Sequence, residues 1–201
     1  MQDLITKHLD RAWKEYLARD YSAAKSHLDV VLKAEPNSAR AHLLLGWIYL
    51  FDKKPEIQSA IEEFRQVISL SPLEIDGYVW LGGALKEAGD LAGAIEILSQ
   101  AKAMAPPGDS RAHLKLGVCL LETGRVTEAL PNLQLAASLE VGSLDEADVR
   151  YWLAEALAQN GQLEEACAEW RKVIEIEREI EPNSPLIEEG LEFLRAHSPK
   201  T

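Results

Sequence analysis

Residues 75–108 read IDGYVWLGGALKEAGDLAGAIEILSQAKAMAPPG. Tyr78, Leu81, Gly82 and Leu85 recur at helical spacing until Gly89-Asp90 interrupts them. A second run at Ala94, Leu98 and Ala101 then stops at Pro106. The stretch predicts a helical hairpin. Gly82 and Ala94 are small enough for the two backbones to approach closely, with Leu81, Leu85 and Leu98 filling the layer between them. Gly89 can take the left-handed conformation that ends a helix, and Pro106 cannot continue one.

The Ala of the second run returns along the chain at Ala24, Ala60, Ala94, Ala129 and Ala166, in steps of 36, 34, 35 and 37 residues. One short hairpin cannot bury its apolar face alone, so a period of this length predicts stacked units that cover one another. The Leu-small pair returns as Leu45-Gly46, Leu81-Gly82, Leu116-Gly117 and Leu153-Ala154, and Pro36, Pro72 and Pro106 close three copies. On these residues the chain resembles the tetratricopeptide repeat family over nearly its whole length.

The resemblance implies an all-α, right-handed α-solenoid in a single domain over 1–201. It places five hairpins at about 5–38, 39–74, 75–108, 110–143 and 147–180, with a C-terminal capping helix at 184–197. The copies are not identical. In the first, Ala12 holds the small place but Arg11 and Glu15 replace apolar residues, so its first helix is expected to fray in part. The second has two extra residues around Lys53-Lys54-Pro55, and the fourth ends in Val141-Gly142-Ser143 instead of Pro. Thr127 reads as an N-cap, which would leave Pro131 in a first turn where it does little harm. The last second helix should run from about Leu163 to Pro182, about one turn longer than its counterparts. Ser184 then caps a helix that begins at Pro185, with a stripe at Ile187, Gly190, Leu191 and Leu194.

Composition narrows the function. The chain carries 33 acidic and 21 basic residues, a formal net charge of -12. Residues 140–192 alone hold 15 acidic against four basic side chains, so nucleic acid is not an expected partner. No apolar run approaches membrane-spanning length and no secretory signal opens the sequence, so membrane insertion is not expected and a cytoplasmic location is. Cys119 and Cys167 belong to no Cys-x-x-Cys pair and read as buried free thiols. His42 and His113 occupy equivalent places and are expected to pack at a repeat interface. Gly82-Gly83 lies in no phosphate-loop pattern, while Glu62-Glu63 and Glu164-Glu165 read as exposed helix faces. These readings point to no catalytic residue, no metal and no cofactor.

What remains is recognition of another protein. In this family the first helices line a concave groove. The resemblance therefore implies a partner-binding surface of Leu9, Trp13, Tyr16, Leu17, Leu43, Trp47, Leu50 and Phe51, continuing through Val79, Trp80, Lys86, Arg111, Leu114, Lys115, Tyr151 and Trp152. Rigid aromatic side chains suit such a site because they bury large area at small entropic cost. Some relatives grip a C-terminal carboxylate with side chains from three successive repeats. The corresponding places here hold Leu43, Trp47, Trp80, Arg111 and Lys115, and only the last two fit. The expectation is a non-enzymatic adaptor or chaperone-like scaffold, monomeric or weakly self-associating, that takes a peptide or helical segment of a partner. The alternative is a structural assembly module working through its ends or convex face.

Overall fold

The computed structural model describes residues 2–140, 142 and 145–197. Among them the chain forms α-helices and no strand. The helices are α1 (Gln2–Leu17), α2 (Tyr21–Ala34), α3 (Ala39–Phe51), α4 (Ile57–Leu70), α5 (Ile75–Glu87), α6 (Leu91–Met104), α7 (Arg111–Glu122), α8 (Val126–Leu139), α9 (Glu146–Gln159), α10 (Leu163–Ile180) and α11 (Pro185–His197). Ten of them pair consecutively as the five expected hairpins, and α11 packs on α10. The helices gather into two compact units, Met1–Met104 with α1 to α6 and Ala105–Thr201 with α7 to α11.

One turn design recurs. In hairpins one, three, four and five, the backbone N–H groups of Arg19, Gly89, Gly124 and Gly161 donate to carbonyls three residues back at 2.9–3.0 Å. The next residue's N–H donates five residues back at 2.8–2.9 Å, the paired closure that satisfies the last carbonyls of a helix. The closing residue must take a left-handed backbone, with φ of 82°, 74° and 80° at the three glycines. Arg19 takes the same conformation at φ 60°. Asp20 and Asp90 then cap the following helices, accepting from Ala23 N at 3.0 Å and Gly93 N at 2.9 Å. Hairpin two departs from the design, its helices being joined by residues 52–56, which accommodates the two extra residues.

Close approach inside each hairpin depends on the small residues the repeat pattern marks. A Cβ added at Gly46 would stand 2.5 Å from Phe64 Cε1, and one at Gly117 would stand 2.6 Å from Leu133 Cγ. At Gly82 it would collide with the side chain of Leu98. Phe64, Leu98 and Leu133 are fully buried and fill the space the missing methyl groups leave. Cys119 and Cys167 are buried free thiols, as their isolation in sequence implies.

Several local expectations need correction. The first helix does not fray within the described residues: α1 is continuous over Gln2–Leu17, anchored by buried Ile5 and Ala12 and by a 3.0 Å contact between His8 Nδ1 and His27 Nδ1. Arg11 costs it nothing because its side chain is exposed. Thr127 is not the cap of α8, whose N-cap is Arg125, so Pro131 lies in the helix interior. The N–H it lacks would have bonded the Thr127 carbonyl, and both residues lie on the exposed face of the helix. His113 meets Asn132 Oδ1 at 3.2 Å within its own hairpin, whereas His42 meets both Glu63 Oε2 at 2.6 Å and the Pro36 carbonyl of the preceding copy at 2.9 Å, the repeat-interface contact expected of it. Glu63 is accordingly half-buried, unlike Glu62. Val141 and Ser143, which replace the closing Pro of the fourth copy, lie outside the described residues.

The C-terminal helices follow the sequence closely. Helix α10 has 18 residues against 14 in α8, one extra turn. The Leu186 N–H donates to Ser184 Oγ at 3.3 Å, and Pro185 is the first helical residue. Gly190 is buried where a side chain would strike Trp170 and Ile174. Phe193, which the predicted stripe omits, packs tilted against the Trp170 ring with centroids 6.0 Å apart.

Candidate partner-binding surface

In the first unit, α1 and α3 present large side chains along a shared face. Leu9, Trp13, Arg40, Leu43, Leu44 and Trp47 line a pocket of about 220 Å³ toward one end. Tyr16, Leu17, Arg19, Tyr21 and Phe51 line a wider one of about 410 Å³ toward the other. Between them the rings form a ladder. Trp13 lies 5.5 Å from Tyr16 and 5.9 Å from Trp47, and Trp47 lies 5.6 Å from Trp80, which Phe51 meets edge-on at 5.8 Å. Aromatic pairs at such separations each add about 0.5–1.5 kcal/mol beyond the area they bury, so the ladder holds its members in place.

The ladder is nevertheless open to solvent on one side. Trp13 is 43%, Leu17 63% and Phe51 47% exposed. Isolated exposed apolar residues are ordinary; a contiguous set backed by fixed rings has the makings of an interface. Trp47 is half-buried, with its indole Nε1 out of contact with water and donating to no oxygen or nitrogen. Its ring neighbours offer π faces in place of a conventional acceptor.

The structure separates the expected site residues into groups. Leu9, Trp13, Tyr16, Leu17, Leu43, Trp47 and Phe51 line the two pockets. Leu50 is half-buried and lines neither of them. Val79 is fully buried, because it sits on the core side of α5, and is withdrawn from the surface. Trp80 joins the ladder and Lys86 lies 3.5 Å from Glu87 Oε1. Arg19, Tyr21 and Arg40 line the pockets although the family pattern does not point to them. Their sequence signal is position alone: the turn after α1 and the first turn of α3.

The second unit carries a different surface. Arg111 is held in a fork by Asp109, with Nε to Oδ1 at 3.1 Å and the terminal nitrogen to Oδ2 at 2.7 Å. That hydrogen bond is the main cause of the depressed Asp109 pKa. Leu114 and Lys115 are half-buried. Tyr151 and Trp152 pack at 5.0 Å, and Tyr151 also meets Trp170 at 5.4 Å. Desolvation raises the pKa of Glu155, with the Glu189 carboxylate of α11 adding repulsion. A nearly buried ion network, unmarked in the sequence pattern, joins α9 to α10. Arg150 Nη1 donates to Glu169 Oε2 at 2.7 Å and Nε to Glu146 Oε1 at 2.6 Å, while Lys172 meets Glu169 at 2.7 Å. These ion pairs tie α9 to α10. Among the described residues there is no cluster of three or more His, Cys, Asp or Glu able to hold a metal.

Helical hairpins of this length, glycine seams and a face of exposed aromatics define a helical-repeat interaction protein. The family comparison makes the class specific: tetratricopeptide repeat models match residues 9–75, 56–109, 81–139 and 142–172. The chain belongs to the tetratricopeptide repeat family, whose domains mediate protein–protein interaction. No curated protein matches it in sequence. Among solved structures, it is similar to TTC0263, a thermophilic repeat protein of Thermus thermophilus, at 24% identity and TM-score 0.70, covering 95% of this chain and 99% of that one. MamA from Desulfovibrio magneticus RS-1 aligns at 20% identity and TM-score 0.74, over 89% of this chain and 98% of that one. YrrB, described as having an unusual peptide-binding site, aligns at 20% identity and TM-score 0.67, over 92% and 90%. At these identities the likeness shows the fold.

Proposed function

We propose that this protein is a non-enzymatic, chaperone-like adaptor that holds an apolar segment of a partner against the α1–α3 face. The supporting observation is the conjunction of exposure and rigidity: Trp13, Leu17 and Phe51 are open to solvent while Trp13 and Phe51 are braced by neighbouring rings. A preorganised aromatic surface loses little entropy on binding, which favours its use as an anchor. The peptide-binding description of YrrB is in keeping with this reading. Arg111 is assigned a lesser role than its position suggests, because its guanidinium already chelates Asp109. The five hairpins with α11 are proposed to act as one repeat domain. We place the protein in the cytoplasm; no described helix is long and apolar enough to cross a membrane.

The decisive experiment isolates a binding protein by affinity capture and titrates it against folded variants. Trp13→Ala should weaken binding strongly. A competing assembly reading draws on Leu135 and Leu139, which are 43% and 39% exposed on α8. Light scattering across concentration separates the two, a monomer favouring the adaptor and a defined oligomer sensitive to Leu135→Ser favouring assembly.

A further inference from the structure

Resting on the proposed α1–α3 binding face, the structure also indicates what kind of segment that face selects. Arg40 lines one pocket and Arg19 the other, so the aromatic face has a guanidinium toward each end. Both side chains are exposed and neither forms an ion pair within the described residues. Two free cations bracketing an aromatic floor are conspicuous in a chain of net charge -12.

Neither arginine is placed for the stability of the fold. Arg19 holds the left-handed position, φ 60°, that hairpins three, four and five give to Gly89, Gly124 and Gly161. A side chain there costs about 1–2 kcal/mol in backbone strain. Arg40 sits in the first turn of α3, which contains no acidic residue. The helix dipole is positive at that end and disfavours a cation. Local rules broken at both ends of one surface, with no ion pair among the described residues to offset them, mark positions suited to an external charge.

We infer that this face takes a protein segment with an apolar centre and a carboxylate on each side of it. Arg40 and Phe51 are eleven residue steps apart along α3, about 16 Å at helical rise. That distance is crossed by about five residues of extended chain or three turns of helix. Apolar side chains would enter the two pockets while the flanking carboxylates pair with Arg40 and Arg19, each forming a charge-assisted hydrogen bond. The negative charge of the remaining surface would repel acidic chains that lack the apolar centre, so the contact is selective on both counts.

The test uses a displayed library of random peptides selected against the full chain at low ionic strength. Enrichment of apolar sequences bracketed by Asp or Glu is expected. Binding of the selected peptides should fall about fivefold for Arg19→Gly and about fivefold for Arg40→Glu, with both losses shrinking as salt is added. Both variants relieve a local strain, so each should fold at least as well as the parent, which circular dichroism and urea unfolding would verify. The double reversal Arg19→Glu with Arg40→Glu should instead select apolar peptides bracketed by Lys or Arg. Apolar peptides with no acidic bias, whose binding needs Trp13 but ignores both arginines, would overturn this inference and leave the binding face standing. Peptides that ignore Trp13 as well, or no enrichment at all, would overturn both.

Discussion

Replacing Gly82 by Ala sets two known effects against each other. Ala is the better helix former by about 1 kcal/mol in a helix interior, so propensity alone predicts stabilisation. A Cβ at this position would lie 2.6 Å from Leu98 Cδ2 and 3.0 Å from Cδ1, well inside the roughly 3.5–4.0 Å of a relaxed carbon contact. Leu98 is fully buried and has no solvent to swing into, so either its rotamer or the α5–α6 spacing must give. Overpacking of this kind costs about 1–3 kcal/mol, which cancels or exceeds the propensity gain and leaves a net loss of up to about 2 kcal/mol. In a Leu98→Ala background the obstruction is gone, and the same Gly82→Ala change should stabilise by about 1 kcal/mol. Urea unfolding of the four proteins, followed by circular dichroism, measures the sign in each background. Stabilisation of the parent by Gly82→Ala would refute the close-packed hairpin on which the repeat reading rests.

Pro131→Ala should stabilise the protein by about 1–2 kcal/mol in urea, since it restores a hydrogen-bond donor in the interior of α8 at an exposed site. Arg150→Met removes the cation shared by Glu146 and Glu169, each 13% exposed in its side chain, leaves them only the Gly142 N–H and Lys172 respectively, and should cost about 2–3 kcal/mol. Adding Glu146→Leu and Glu169→Leu should recover most of that loss. Stability should also depend on pH with a maximum on the acid side of neutrality. Glu155, its pKa raised first by desolvation and then by Glu189, binds its proton more readily folded than unfolded and so contributes stability as pH falls from neutral. Asp109 and Glu146 are held low, chiefly by the Arg111 side chain and the Gly142 N–H respectively. Their contribution is present above the unfolded carboxylate range and is lost below about pH 4. Melting temperature measured against pH would show both limbs.

Much of the architecture was legible because it depends on residues with few substitutes. Gly46, Gly82 and Gly117 leave no room for a methyl group, and Gly89, Gly124 and Gly161 adopt a backbone that side chains disfavour. Such positions repeat visibly. The errors arose where one residue type supports two outcomes. Thr127 is a good cap, but the chain enters α8 two residues earlier at Arg125, which moves Pro131 into the interior. Arg11 and Glu15 interrupt an apolar stripe without loosening α1, because Ile5 and Ala12 carry its packing.

The surface was less legible than the core. Its aromatic members follow the family pattern, and seven of the expected residues do line the α1–α3 pockets. Val79 shares that helical register and is nonetheless fully buried on the core side of α5. Arg19 and Arg40 could not be assigned from periodicity, because their meaning comes from a turn conformation and a helix end brought to one face. Trp47, which the family pattern places on the binding surface, is half-buried within the ladder. Its truncation would disturb the fold as well as binding, which makes Trp13 the cleaner probe.

The central claim is that a partner is held on the α1–α3 face, and one titration tests it most directly. A partner isolated with the parent chain is titrated by calorimetry against Trp13→Ala and against Leu135→Ala, a control on exposed α8. Loss of a central aromatic anchor commonly costs about 2 kcal/mol or more, so Kd should rise about thirtyfold for Trp13→Ala. Leu135→Ala should bind as the parent does. An unchanged Kd for Trp13→Ala, with binding lost in Leu135→Ala, would contradict the account and move the interface to the second helices.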